Sequence, residues 1–142
     1  MELSLTVAII AVLAMIAIPK YQDYREGIKV QKAITDIAEI SAFIKQYETE
    51  TREFPDSLSQ VGGDSGTRLD PWGNLYQYYN IQTAKGKGML RKDKSLNPIN
   101  SDFDLYSMGK DGKTSTALTA NNSHDDVIRA RDGQFIGLAS DF

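Results

Sequence analysis

Three aspartates frame a polar loop late in this chain: Asp111 at its start and the adjacent Asp125 and Asp126 at its end. Carboxylates gathered from two ends of a loop are hard oxygen donors of the kind calcium takes, in shells of about six to eight ligands at about 2.3–2.6 Å. Gly109 and Gly112 permit the tight turns that aim backbone carbonyls inward. A cation bound there would close the loop as a disulfide closes others, and its binding free energy would become folding free energy. The alternative is three solvated aspartates on a flexible loop. The DxDxDG spacing of an EF-hand is absent. A fourth acid, Glu2, heads a run with no other charged residue through Ile18. A carboxylate beside such a run is costly in lipid and marks a functional ion pair, unless it is an ordinary acid favoured by a helix N-terminus.

Other chemistries find no residues to carry them. There is no cysteine, hence no disulfide and no thiolate metal or redox site. No Walker-type glycine loop, HExxH or GxSxG occurs. The one histidine, His124, belongs on a solvated loop. A net charge of −3 without a basic, aromatic-interleaved patch argues against nucleic acid. The aromatics Trp72, Tyr76, Tyr78 and Tyr79 are strand and core packing rather than a cofactor box.

The elements that must position these groups begin with the apolar run itself. Its uncharged residues Leu3 to Ile18 give a helix of roughly 24 Å, short of the roughly 30 Å hydrocarbon core of a bilayer. Helix continuing past Pro19, or local thinning, closes that gap. An acidic rather than basic head and no A-x-A-like site speak against a secretory signal. A chain of 142 residues also has little core with which to surround such a helix. The run is therefore a membrane anchor and assembly stem, buried in lipid or in other copies of itself.

From Lys20 the pattern turns amphipathic. Val30, Ala33, Ile34, Ile37, Ile40, Ile44 and Tyr47 form one stripe, with Lys32, Asp36, Glu39, Lys45 and Glu48 on the other face. One long helix ending near Thr51 follows, kinked at Pro19. Residues 52–73 are irregular, broken at Phe54-Pro55 and turned at Gly62-Gly63, Gly66 and Asp70-Pro71-Trp72-Gly73. Strands are expected at Leu75–Ile81, across residues 85–92, and at Phe103–Met108, with an apolar return at Val127-Ile128. The organisation is a stem over 1–23 and a globular domain over 24–142, made of helix 24–51, loop 52–73, and sheet with the acidic loop over 74–142. The fold class is α+β, a long helix laid on a small antiparallel sheet.

Three segments resemble the type IV pilin superfamily, and within it the major pseudopilins of bacterial type II secretion. The family N-terminus, roughly FTLxELxxVxAIIGILAxxAIPxY, is in step with Glu2, Ala8-Ile9-Ile10, Leu13-Ala14, Ala17-Ile18-Pro19 and Tyr21. DPWGNxY is matched by Asp70 through Tyr76, and FDLxSxGxDG with a later DDI-like element by Phe103 through Gly112 and Asp125-Asp126-Val127. The family glutamate is the fifth mature residue. Here it is the second, with the seventeen-residue step to the proline kept, so either three residues precede Met1 or the start is unusual. Ala11 replaces a common glycine, the loop from Asp111 to Asp125 is longer, and about fifteen residues run past Val127, where the domain is expected to end.

The resemblance implies a pilin fold and a structural, non-enzymatic role. It implies a pseudopilus filament polymerised from the inner membrane into the periplasm, or alternatively a surface type IV pilus-like filament. A membrane-tethered binding domain is a more distant reading. The resemblance also implies a homopolymer through the N-terminal helices, with membrane lipid around the stem before assembly. Minor pseudopilins, an inner-membrane assembly platform, a prepilin peptidase and N-methylation are implied as well. Glu2 would pair with the N-terminal amine of a neighbouring subunit. Calcium would sit in the loop, with backbone oxygens around Tyr106, Met108 and Val127 joining Asp111, Asp125 and Asp126.

Overall fold

The computed structural model describes residues 2–142. A single helix, α1, runs from Glu2 to Thr51 without a break at Pro19. Proline lacks an amide hydrogen, so the carbonyl of Met15 loses its helical partner there, yet the flanking turns hold the helix together. Helix α1 ends where Arg52 takes a left-handed conformation, φ 65°, while its amide still bonds the Glu48 carbonyl at 2.7 Å. Phe54-Pro55 then forbids continuation.

Four strands follow, β1 (Gln77–Asn80), β2 (Phe103–Ser107), β3 (Val127–Ala130) and β4 (Phe135–Leu138), in the order β1-β2-β3-β4. Every neighbouring pair is antiparallel; Tyr78 faces Leu105, Tyr106 faces Ile128, and Ile128 faces Gly137. The α+β expectation holds: one long helix lies on a small antiparallel sheet. The core is the predicted stripe. Ala33, Ile37, Ile40 and Ile44 are fully buried against Phe103, Leu105 and Val127, with Phe54, Leu58 and Tyr76 at the margin. Each isoleucine so buried contributes roughly 1.5–3 kcal/mol.

Three details depart from the sequence reading. Residues 85–92 form no strand. Their glycines and lysines give no alternating face, and the segment is held instead through Lys92, whose amide bonds Thr116 and whose carbonyl receives Leu118, at 2.8 and 2.9 Å. The residues after Val127 do not trail past the domain. They form β4 and return Ala139 and Phe142 against the back of the sheet, in a second apolar cluster with Ile99, Leu118, Ile128 and Ala130. Asp36, placed on the solvated face, is buried. It takes a 2.9 Å hydrogen bond from the Tyr76 hydroxyl and lies beside Lys32 and Arg68. Both faces of β2 are thus covered, one by α1 and the other by the long loops.

The edge of the core is closed by Asp102. Its two oxygens accept from both terminal nitrogens of Arg129 at 2.8 Å, and Lys45 stands 3.1 Å away. Burial pushes this carboxyl up. Hydrogen bonds from Arg129 and the Phe103 amide, and the Arg129 charge, outweigh that and hold it down to about 2. A carboxyl with a depressed folded value contributes stability above its unfolded value and loses it as pH falls through the folded one. Melting followed by circular dichroism should show about 2 kcal/mol lost between pH about 4 and about 2. Asp102→Asn should flatten that slope, and an unchanged slope would remove Asp102 from the acid transition.

Candidate functional site

Two regions hold the residues singled out by the sequence. The first is the stem. From Glu2 through Arg25 only Ala14 is even half-buried, and large side chains stand open, Leu3 at 80% and Met15 at 75%. An 18-residue window of this helix has mean hydropathy 2.2, and none of it is buried within the chain. Residues 2–24 span roughly 35 Å as helix, enough for the hydrocarbon core. This geometry excludes the core helix of a globular domain, whose apolar window would be covered by its own chain. Glu2 is exposed in the first turn, and Pro19 lies within the uncovered segment.

The stem joins the domain at Trp72. Its indole nitrogen donates to Glu26 at 3.0 Å, and that bond is the main cause holding the Glu26 carboxyl below its ordinary range. Trp72 belongs to the Asp70-to-Tyr76 segment, which is locked onto the end of β2. The buried Asp70 accepts from the amides of Trp72 and Asn74 at 3.0 and 2.9 Å and from the Ser107 hydroxyl at 2.5 Å. Ser107 in turn accepts from the Gly109 amide at 3.0 Å, and the Asn74 side chain reaches the Gly109 carbonyl at 3.3 Å. Two of the three segments that carried the family resemblance, residues 70–76 and 103–112, are therefore one hydrogen-bonded unit. Gly73 at φ 97° and Gly109 at φ 64° need glycine, and a Cβ on Gly109 would lie 2.1 Å from the Asp125 carbonyl oxygen.

The second region is the acidic loop. Asp111 is exposed and caps its own turn, accepting from the Lys113 amide at 2.8 Å. Asp125 accepts from the Asp111 amide at 2.9 Å, closing the loop's two ends. Asp126 is fully buried and turns the other way, to the Arg91 guanidinium and the Thr114 hydroxyl at 2.6 and 2.5 Å. Burial pushes the Asp126 carboxyl up to about 6, against the pull of Thr114 and Arg91. Its second oxygen is buried without a partner. Tyr106 and Val127 lie within paired strands, and Met108 is half-buried beyond β2.

Among the described residues no three acidic or histidine side chains converge on one point. The calcium expectation for Asp111, Asp125 and Asp126, with Tyr106, Met108 and Val127, thus meets carboxylates aimed at three different partners. Hydrogen bonds from the Asp111 amide to Asp125 and from the Thr114 hydroxyl to Asp126 join the loop's two ends. His124 is exposed, as expected.

Sequence reasoning missed Arg91, Thr114 and Asn100. Arg91 sits in a segment whose pattern predicts a strand, though a buried acid such as Asp126 demands a cation from somewhere. The Asn100 amide bridges Asp104 and the Arg129 carbonyl, both at 2.9 Å, and nothing in its local pattern signals this.

A long helix with an uncovered apolar half, laid on a four-stranded antiparallel meander, is a pilin-like fold. The chain is 28% identical over 131 residues to the type II secretion system core protein G of Pseudomonas aeruginosa, across 79% of this chain and 81% of that protein. It is 26% identical over 135 residues to the core protein G of Aeromonas hydrophila, across 82% and 83%. A fimbrial protein of Pseudomonas aeruginosa is 36% identical over 75 residues, 49% of either chain. The likeness over most of the chain is thus to core protein G. No family model matches the chain, and no solved structure does.

Proposed function

We propose that this chain is a structural subunit of the helical pseudopilus of a type II secretion system, polymerised from the inner membrane into the periplasm to drive protein export. The observation that supports it most is the stem: an apolar helical stretch with nothing of its own chain to cover it, continuous with the domain helix. Such a surface is stable in lipid or against copies of itself, and a head-to-tail repeat of one patch on another builds an open helical polymer. The core-protein-G likeness, spanning most of both chains, supplies the system. Minor pseudopilins, the assembly platform, the prepilin peptidase and N-methylation enter on that likeness, as does a non-enzymatic role. The half-length fimbrial likeness favours a second reading, a surface type IV pilus-like filament.

The test is polymerisation. Full-length chain held in detergent should form filaments, visible by negative-stain microscopy, once detergent is removed; a dispersed monomer after removal would refute the proposal. Labelling of intact cells then separates the two filament readings, since a surface pilus is accessible and a periplasmic one is not.

Glu2 is the register device in this reading. Inside an apolar bundle, one member of a desolvated ion pair left alone costs about 3–5 kcal/mol. Glu2→Ala is expected to keep the domain's melting temperature and membrane retention but to cut filament mass at least about tenfold. Normal filaments from this variant would end the register role.

A further inference from the structure

Arg91 is among the least exposed charged residues of the domain, 2% accessible, and it is reached from four separate segments. Nη2 donates to Asp126 Oδ2 at 2.6 Å and Nη1 to the Thr114 hydroxyl at 2.6 Å. That hydroxyl bonds the same Asp126 oxygen at 2.5 Å, making a closed triangle. The guanidinium carbon lies 4.0 Å above the Tyr106 ring. The backbone of Arg91 is fixed as well: its amide donates to Asp104 Oδ2 at 3.0 Å, and its carbonyl receives the Ile99 amide at 3.0 Å. The fixed backbone and the Tyr106 ring thus limit where this side chain can lie, so less entropy is lost when it meets Asp126.

We propose that the Arg91 guanidinium is the resident cation of this loop, holding Asp126 and Thr114 shut across residues 91 to 126, so that the domain folds without a bound metal. A calcium ion within about 2.3–2.6 Å of Asp126 Oδ2 would have to share that oxygen with Nη2, and the two cations repel. Only Oδ1, buried without a hydrogen-bond partner, is left for calcium, and an ion there would face the guanidinium across the same carboxylate. The planar fork matches the triangle of hydroxyl and carboxylate, which a point charge cannot. Ordering of residues 109–126 then rests on two covalently attached ends rather than on ion concentration. The inference stands independently of polymerisation, since it concerns only how the domain is closed.

The test uses the full chain in detergent micelles. Melting temperature in saturating calcium should equal that in chelator, and calorimetric titration with calcium should give no binding heat. A folded-state site at a hundredfold excess over its dissociation constant would raise the melting temperature on the order of 5–10 °C, which overturns the proposal. Arg91→Met should lower it by about 10 °C or more, and Arg91→Lys by an intermediate amount. A loss from Arg91→Met no larger than from the exposed Lys110→Met also overturns it. Should Arg91→Met yield no folded chain, the calcium comparison on the unaltered chain still decides.

Discussion

Ile10→Asp is expected to abolish both membrane retention and filament formation while leaving the melting temperature of the domain unchanged. Ile10 stands 65% exposed, among Ala8, Ile9, Val12 and Leu13 on the apolar stretch of α1 that nothing else in the chain covers. An aspartate at the centre of a spanning helix costs about 2.5–3.5 kcal/mol, a shift of roughly a hundredfold in partition. In a bundle of stems the same carboxylate would have no cation to meet, so the second refuge is lost with the first. The checks are alkaline extraction of membranes, negative-stain microscopy and a circular dichroism melt. Filaments at normal yield would mean that this face is not the one buried on assembly.

The contrast with Ile40→Asp makes the logic sharper. Both residues are isoleucines on one continuous helix, but Ile40 is fully enclosed by the sheet. A charge there should unfold the domain, because it removes core packing and buries an unpaired carboxylate. One helix thus carries two burial surfaces with different partners. The first is satisfied within the chain, and the second only by lipid or by other chains. That separation is what a subunit needs if it is to leave a membrane for a filament without refolding.

Much of this was legible in the sequence, for reasons that differ along the chain. The stem showed itself because sixteen uncharged residues leave few options, and the stripe from Ala33 to Ile44 because helical periodicity survives over several turns. Strands β1 and β2 were marked by Tyr78 and Tyr79 and by the alternation from Phe103 to Ser107. Strand β4 was not: Phe135, Ile136 and Leu138 are interrupted by Gly137, and their partner β3 is itself a four-residue strand. Asp36 defeated the periodic reading because its burial depends on Tyr76, forty positions away, and on the shield of Lys32 and Arg68. At the acidic loop the residue types were legible but their aim was not. Nothing in a string of letters shows that Asp126 turns to Arg91 or that Asp125 accepts from the Asp111 amide.

The second large effect is expected at Asp70. Asp70→Ala removes the acceptor for two backbone amides and the Ser107 hydroxyl at once, all within a buried site. Each donor left dry costs about 1–3 kcal/mol, so a loss of about 3 kcal/mol or more is expected even if water reaches one of them. Asp70→Asn retains one carbonyl oxygen for the Trp72 and Asn74 amides and should lose less. Asp56→Ala, at an exposed position, should stay within about 0.5 kcal/mol. Damage at Asp70 should also travel in two directions that a generic core mutation would not select. Ser107 holds the Gly109 amide, so hydrogen exchange there and at Asn74 should rise before β2 opens. Trp72 holds Glu26 at the foot of the stem, so its fluorescence should shift to the red as the indole gains water. If Asp70→Ala melts with unchanged exchange at Gly109 and unchanged Trp72 emission, the unit linking turn, strand end and stem carries no stability of its own. The angle between stem and domain would then have to be set by α1 alone.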